Sequence, residues 1–146
     1  MIDVPAAASS PLLQSLGDGC VVEYIAAEKR AVMEFTAKPE FCHSGNVVQG
    51  GFVTAWIDSA MAHAAVLATE GALAPATLEI KVSFYRAANP GRVRAEGWVE
   101  RLGRSIAFLE GRLMSVDGEV LATATSTVKL VPTDRQQKTA SDSIPA

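Results

Sequence analysis

Two adjacent glycines and one carboxylate are the residues in this sequence with the clearest chemical potential. Gly50 and Gly51 stand at the predicted start of a long helix, where backbone N–H groups have no intrahelical acceptor and the helix dipole adds partial positive charge. Glycine also lets a ligand approach that backbone closely. The pair is therefore a candidate site for polarising a carbonyl group, although tight loop packing would also use glycine.

Asp58 is the only carboxylate between Asn46 and Leu67, a stretch that also contains no Lys or Arg. A charge on an apolar helix is costly unless it is paired or solvated, which makes Asp58 a functional candidate with a shifted pKa. The other interpretation is an aspartate satisfied by backbone or hydroxyl donors.

The spacing of these groups predicts a site shared by two chains. Asp58 follows Gly50 by eight residues, which is about 12 Å along a helix. One carbonyl cannot contact both groups of the same helix, because catalytic contacts need about 3 Å. Two antiparallel copies of the helix could bring the groups together, so we expect two equivalent sites at a twofold interface.

The helix that must position these groups is predicted from Gly50–Phe52 to near Thr69, where Glu70-Gly71 supply a C-terminal signal. Its opposite faces are both nearly uncharged, so we expect it to be buried nearly all round. His63 lies about 500° of rotation past Asp58, points away from it and is interpreted as structural. The two tryptophans are interpreted as packing residues.

Strand-like segments flank this helix in the chain. A short helix at Pro11 and a hairpin over residues 20–36 precede it, with residues 37–48 predicted as a loop. Four alternating runs follow and are interpreted as a four-strand meander: 77–85, 92–100, 105–115 and 119–131. An antiparallel sheet wrapped around one apolar helix is the economical arrangement, so the predicted class is α+β.

Chain length and charge indicate how many domains the protein has and which partners are excluded. The 146 residues predict one domain, placed at residues 1–132, with frayed residues 1–9 and a disordered tail at 133–146. The net charge of −3, without a basic run, argues against nucleic acid or a membrane surface as partner. No secretory signal and no apolar run of about 18 residues is found, so we expect a cytoplasmic protein with reduced cysteines.

Several of these features together resemble the hotdog-fold thioesterases of the PaaI and hydroxybenzoyl-CoA thioesterase type. The resemblance covers roughly residues 20–130. It is carried by Gln49-Gly50-Gly51, Asp58 on an Ala-rich helix, the strand 77–88, and the run from Arg101-Leu102-Gly103-Arg104-Ser105 to Asp117–Ala122.

The resemblance implies an antiparallel sheet of five or six strands around one long central helix. It also implies hydrolysis of acyl-CoA thioesters without metal or cofactor, coenzyme A being part of the substrate. Such proteins are dimers built through the helix and usually pair into tetramers. By the same resemblance, the Gly50 amide polarises the carbonyl, Asp58 of the partner chain acts as nucleophile or as base toward water, and Thr77 positions that water.

Further substrate contacts follow from the resemblance, with two departures. Relatives often contact coenzyme A in the loop and strand around Gly103 and Arg104, so Arg101, Gly103 and Arg104 are candidate contacts, and a solvated rim is the other interpretation of the arginines. The loop and helix start add His43, Asn46 and Gly51, and an exposed loop histidine is the other interpretation of His43. Many relatives have Asn where His43 stands, and many have His where this chain has Gln49. A glutamine can hydrogen-bond near the thioester, so it is included with the catalytic residues, but it cannot act as an acid.

Two other functions stay open at this point. A hotdog hydratase or dehydratase would use His43 and Asp58, although that class usually has Pro-Gly before the helix. A non-catalytic acyl-CoA-binding protein is favoured by Gln49 in the place of histidine.

Overall fold

The computed structural model describes residues 10–134, so the predictions for residues 1–9 and for the tail from residue 135 onward lie outside the described residues. Thr133 is still held by the fold, because its hydroxyl donates to the Gly71 carbonyl at 2.6 Å. The helices are α1 (Pro11–Ser15) and α2 (Gly50–Ala68). The strands are β1 (Cys20–Ile25), β2 (Arg30–Ala37), β3 (Cys42–Ser44), β4 (Val47–Val48), β5 (Leu73–Phe84), β6 (Gly91–Leu102), β7 (Ile106–Ser115) and β8 (Val120–Pro132).

Six of these strands form one antiparallel sheet in the order β1-β2-β6-β7-β8-β5. The predicted α+β class with an antiparallel sheet around one long helix is confirmed. So are the first hairpin and the short N-terminal helix, which Ser10 caps by accepting from the Leu13 N–H at 3.2 Å. The segment predicted as a loop over residues 37–48 contains the small β3–β4 pair.

The predicted four-strand meander is wrong in one respect. β6, β7 and β8 do follow one another, but β5 pairs with β8 at the far edge, with Phe84 opposite Ala122. The Asn89-Pro90-Gly91 signal therefore marks the end of a crossover. Hydrogen bonds from the Arg86 N–H to the Leu121 carbonyl (3.0 Å) and from the Val48 N–H to the Ala88 carbonyl (2.9 Å) hold that crossover in place.

Helix α2 packs on the centre of the sheet at two glycines that face each other across β6 and β7. Gly97 pairs with Gly111. A Cβ built on Gly97 would lie 2.3 Å from the Met61 nitrogen, and one on Gly111 would lie 2.7 Å from Ile57 Cγ2. The helix backbone therefore touches the sheet, which is possible only because neither position has a side chain.

Only one side of α2 is buried within a single chain. The sheet-facing side contributes Val53, Trp56, Ile57, Ala60, Met61, Ala64 and Ala65 to the core. The opposite side is half-buried and made mainly of small residues: Ala55, Asp58, Ser59, Ala62 and Val66. A single sheet covers a single side, so the expectation of burial nearly all round is not met by one chain.

The buried side of α2 also explains its apolar composition. It is the helix in residues 10–134 whose length and mean hydropathy, 1.3, would suit a membrane span. Its packing against the sheet accounts for that hydropathy as a property of a core helix. Trp56 is fully buried in this core and donates from its indole N–H to the Leu16 carbonyl at 2.7 Å, so its predicted packing role is confirmed.

Candidate functional site

The start of α2 presents one open amide rather than two. Gln49 is the N-cap residue, and its side-chain Oε1 accepts a hydrogen bond from the Gly51 N–H at 2.7 Å. The Gly50 N–H has no acceptor among residues 10–134. Because the Gly51 amide is already used, Gly50 is the residue of the pair that can polarise a carbonyl. Glutamine is not a preferred N-cap residue, so the sequence carried no signal for this bond.

Gly50 opens onto a cleft of about 360 Å³, which also contains the predicted substrate residue His43. The cleft is mostly apolar and is lined by His43, Val47, Val48, Gly50, Val53, Phe84, Tyr85, Arg86, Ala87 and Ala88. A mainly apolar wall with a few polar groups is typical of a small-molecule site.

Phe84 is a residue of this cleft that the sequence did not indicate. A Cβ added to Gly50 would lie 3.2 Å from Phe84 Cζ, so the ring covers the helix start at contact distance. The ring is nevertheless 54% exposed. An exposed phenyl ring beside the open amide is placed to contact a ligand. Its position depends on the pairing of β5 with β8, which the sequence did not predict.

Asp58 lies on the half-buried side of α2, outside the Gly50 cleft. Within residues 10–134 its carboxylate has no hydrogen-bond donor and no ion-pair partner. Burial raises the pKa of the Asp58 carboxyl above its ordinary value. The alternative of an aspartate satisfied by backbone or hydroxyl donors is therefore not supported. His63 is turned away and contacts the Ser59 carbonyl through Nδ1 at 2.7 Å, as expected for a structural residue.

Thr77 faces the helix side of the sheet. It is the fifth residue of β5, not the first, because the strand begins at Leu73. Thr77 pairs with Val128, whose side chain is buried in the core, and directly opposed side chains point to the same face. The Thr77 side chain is exposed in the single chain. The hydroxyl is thus on the same side as α2, but Thr77 lies seven residues along β5 from Phe84, which is about 23 Å. A single chain therefore does not bring the Thr77 hydroxyl to the Gly50 cleft.

The predicted coenzyme A residues lie at the other end of the molecule. Along β8, Ala122 is next to Phe84 at the Gly50 end, whereas Lys129 is next to Ile106, which follows the loop of Arg101, Gly103 and Arg104. Seven residues of strand span about 23 Å. A single chain therefore does not bring the exposed Arg101, Gly103 and Arg104 to the Gly50 cleft.

Asn46 has a structural contact in the same region. Its backbone carbonyl accepts from the Asn89 side-chain amide at 2.8 Å, which ties the loop before α2 to the β5–β6 crossover. Its side chain stays exposed. A second cleft of about 650 Å³ adjoins the first and shares Arg86 and Ala87 with it. Arg86 is paired there with Glu119 at 2.9 Å, so its charge is already balanced.

Comparison with known proteins finds a matching family model and a related protein. A family model described as the thioesterase superfamily matches residues 45–122, which include the helix start, Asp58 and Thr77. A protein of Saccharolobus solfataricus, provisionally named an esterase, is 33% identical over 118 residues that cover 80% of this chain and 84% of the relative.

Two solved structures of related proteins superpose on this chain. A phenylacetic acid degradation-related protein from Ralstonia eutropha JMP134, provisionally named a thioesterase, superposes with a TM-score of 0.76 at 29% identity, covering 84% of this chain and 92% of its own. A variant of the phenylacetic acid degradation protein PaaI from Thermus thermophilus gives 0.70 at 26% identity, covering 82% and 98%. With its six-stranded sheet, central helix and matching helix start, this chain belongs to the thioesterase superfamily and is a PaaI-like protein of the hotdog fold.

Proposed function

We propose that this protein is an acyl-CoA thioesterase that hydrolyses an aryl- or fatty-acyl-CoA to the free acid and coenzyme A. Membership of the thioesterase superfamily supports thioester hydrolysis at the level of the family. The observation that carries the proposal is that α2 has both an open Gly50 amide and a half-buried Asp58 carboxylate, neither of which has a partner within residues 10–134. Such a pair supplies an electrophilic donor and a base in a protein region otherwise poor in charge.

Each site is proposed to be shared by two protomers. Gly50 and Asp58 of one helix are about 12 Å apart, and Asp58 does not line the Gly50 cleft of its own chain. A second, antiparallel copy of α2 would cover the small-residue side that the sheet leaves half exposed. It would also bring the loop of Arg101, Gly103 and Arg104 from the partner toward the cleft. Within residues 10–134 the edge strand β5 pairs only with β8, so its other edge offers a second contact surface.

In the proposed reaction, the partner's Asp58 takes a proton from a water molecule. The water oxygen attacks the thioester carbonyl carbon, and the carbonyl oxygen gains negative charge beside the Gly50 N–H. The C–S bond then breaks and its electron pair stays on sulfur. The raised pKa of Asp58 makes its carboxylate a stronger base than an ordinary aspartate. Gln49 holds Gly51, and its side-chain N–H₂ remains a donor for the substrate.

Mixing two inactive variants tests both the activity and the shared site. Asp58→Asn keeps Gly50, and Gly50→Val keeps Asp58, so only a mixed dimer contains one intact site. After reversible unfolding and random reassociation of equal amounts, about a quarter of all sites are intact. We expect release of free thiol from acyl-CoA to recover to about 25% of the wild-type rate. Recovery no greater than the average of the two separate variants would overturn the shared site, and no release by the wild type would overturn the thioesterase.

A second candidate is a hydratase of enoyl thioesters, since His43 lines the Gly50 cleft. The two reactions differ in their products. Loss of the conjugated enoyl absorbance without release of thiol would identify the hydratase, and release of thiol from saturated acyl-CoA identifies the thioesterase. Tight binding of acyl-CoA with neither signal would identify a binding protein.

A further inference from the structure

We infer that His43 gives a proton to the departing sulfur of the substrate, a role that rests on the proposed thioesterase activity. Gln49 cannot fill that role because an amide has no dissociable proton near neutral pH. Its carbonyl oxygen is in addition turned back onto the Gly51 N–H at 2.7 Å. Any donor of a proton to the sulfur is therefore another group near Gly50.

Of the residues that line the Gly50 cleft, His43 is the best candidate for a proton donor. Three of the described lining residues carry a titratable side chain: His43, Tyr85 and Arg86. The Tyr85 hydroxyl is bonded to the Thr123 hydroxyl at 2.9 Å, so it is already engaged within the chain. Arg86 is ion-paired with Glu119, and a guanidinium does not release its proton in proteins. Of these three side chains, the imidazole is the kind of group that enzymes most often use as a general acid.

The hydrogen bond to Ser44 determines which ring nitrogen of His43 is the free donor. Ser44 Oγ and His43 Nδ1 are 2.8 Å apart, while Nε2 has no partner within residues 10–134. In the protonated ring, Nδ1–H donates to Ser44 Oγ, and Nε2–H is left as the free donor. The strand β3, which contains both residues, is held by its pairing with β4 immediately before the helix start. The ring is therefore anchored on the same short segment that carries Gly50.

The proton balance follows from the proposed hydrolysis. When the tetrahedral intermediate collapses, the C–S bond breaks, and the sulfur takes the electron pair and the Nε2 proton to become a thiol. His43 is left neutral. The proton that the partner's Asp58 took from water returns through solvent to restore the imidazolium. An alkyl thiolate such as that of coenzyme A is a poorer leaving group than an aryl thiolate, so proton donation matters more for alkyl thioesters.

The test compares two thioesters that carry the same acyl group, one on coenzyme A and one on an aryl thiol. Wild type, His43→Gln and Ser44→Ala are measured with both substrates, and kcat and KM are separated. Glu40→Gln is the matched control, because Glu40 is exposed, lies shortly before β3 and does not line the cleft. Thermal unfolding of each variant confirms that it is folded.

We expect His43→Gln to lower kcat for the coenzyme A thioester by about 10²-fold and kcat for the aryl thioester by less than about threefold. Ser44→Ala should show the same selectivity with a smaller loss, because it affects only the orientation of the ring. An equal loss on both substrates, or no loss on the coenzyme A thioester, would overturn the role of His43 while leaving the thioesterase intact. If the wild type cleaves neither substrate, both proposals are wrong.

Discussion

The Gln49 side chain accepts a hydrogen bond from the Gly51 N–H at 2.7 Å, and this bond leaves the Gly50 amide as the open donor at the start of α2. The residue before the helix thus closes its first turn and selects which backbone group a ligand can reach. A Cβ on Gly51 would lie 2.6 Å from Gln49 Oε1, so a side chain there would displace the flexible end of Gln49 from this position.

Substitution of Gln49 should separate its capping role from its contact with substrate. Gln49→Ala removes the cap and should lower the free energy of unfolding by about 1 kcal/mol. Gln49→Glu keeps an oxygen for the Gly51 N–H and suits the helix dipole, so stability should be at least that of the wild type. Its negative charge beside the developing oxyanion should nevertheless lower kcat/KM at least about tenfold. Chemical denaturation measures the free energy of unfolding, and steady-state kinetics measure kcat/KM. A Gln49→Glu enzyme with the kcat/KM of the wild type would contradict the expected loss of activity.

A methyl group on Gly50 should affect activity more than stability. In Gly50→Ala the methyl would lie 3.2 Å from the exposed Phe84 ring, which can move by a few tenths of an ångström. We therefore expect a change in unfolding free energy below about 1 kcal/mol. Because the methyl blocks approach to the amide, kcat/KM should fall by roughly 10²-fold. Phe84→Leu alone measures the loss caused by shortening the ring in the cleft. If the amide is the cause, the double variant should fall a further roughly 10²-fold below Phe84→Leu.

Loss of the Asp58 carboxylate should remove activity. Asp58→Asn is nearly isosteric and leaves the fold in place, but an amide cannot take a proton from water. We expect kcat to fall by about 10²- to 10⁴-fold with little change in the binding of substrate analogues. Thiol release and calorimetric binding measure the two quantities. An Asp58→Asn variant that retains wild-type turnover would be incompatible with a base at this position.

The same variant should gain stability, and the gain should depend on pH. Burial raises the pKa of Asp58 in the folded chain, so the folded state holds the proton more tightly than the unfolded state. The contribution of Asp58 to stability is fully present below about pH 3.9 and is lost as the pH rises through the raised folded pKa. At pH 7 the ionised carboxylate is therefore destabilising. Asp58→Asn should raise Tm by a few degrees at pH 7 and by much less near pH 4.

Thermal unfolding over a pH series measures this difference. Asp117→Asn supplies the matched control, because Asp117 is exposed in the turn between β7 and β8 and asparagine suits the same turn. Its Tm should follow the wild type across the series. A gain for Asp58→Asn that is constant with pH would show that ionisation is not its cause.

Contact between α2 and the sheet should tolerate no added volume at Gly97. A Cβ there would lie 2.3 Å from the Met61 nitrogen and 2.4 Å from the Ala60 carbonyl carbon, which are backbone atoms and cannot rotate away. We expect Gly97→Ala to lower the free energy of unfolding by about 3 kcal/mol or more. Gly118→Ala is the control: its φ of +84° strains an alanine, but a Cβ there meets nothing within 4 Å. That variant should lose only about 1 kcal/mol.

The sequence alone determined the parts of this protein that depend on local geometry. It predicted α2 within a residue or two, the first hairpin and the alternation of β6. It also predicted the separation of Gly50 and Asp58, because the rise of a helix is the same in every protein. The candidate groups at the helix start and in the helix followed from residue type and spacing.

Tertiary structure decided what depends on residues far apart in the chain. The pairing of β5 with β8 put Phe84 over Gly50 and the loop of Arg101, Gly103 and Arg104 at the far end of the sheet. Turn residues mark where a chain changes direction, but the partner of a strand is set by the total packing of the sheet and its helix. The open Gly50 amide was likewise decided by a side-chain bond that glutamine rarely makes at this position.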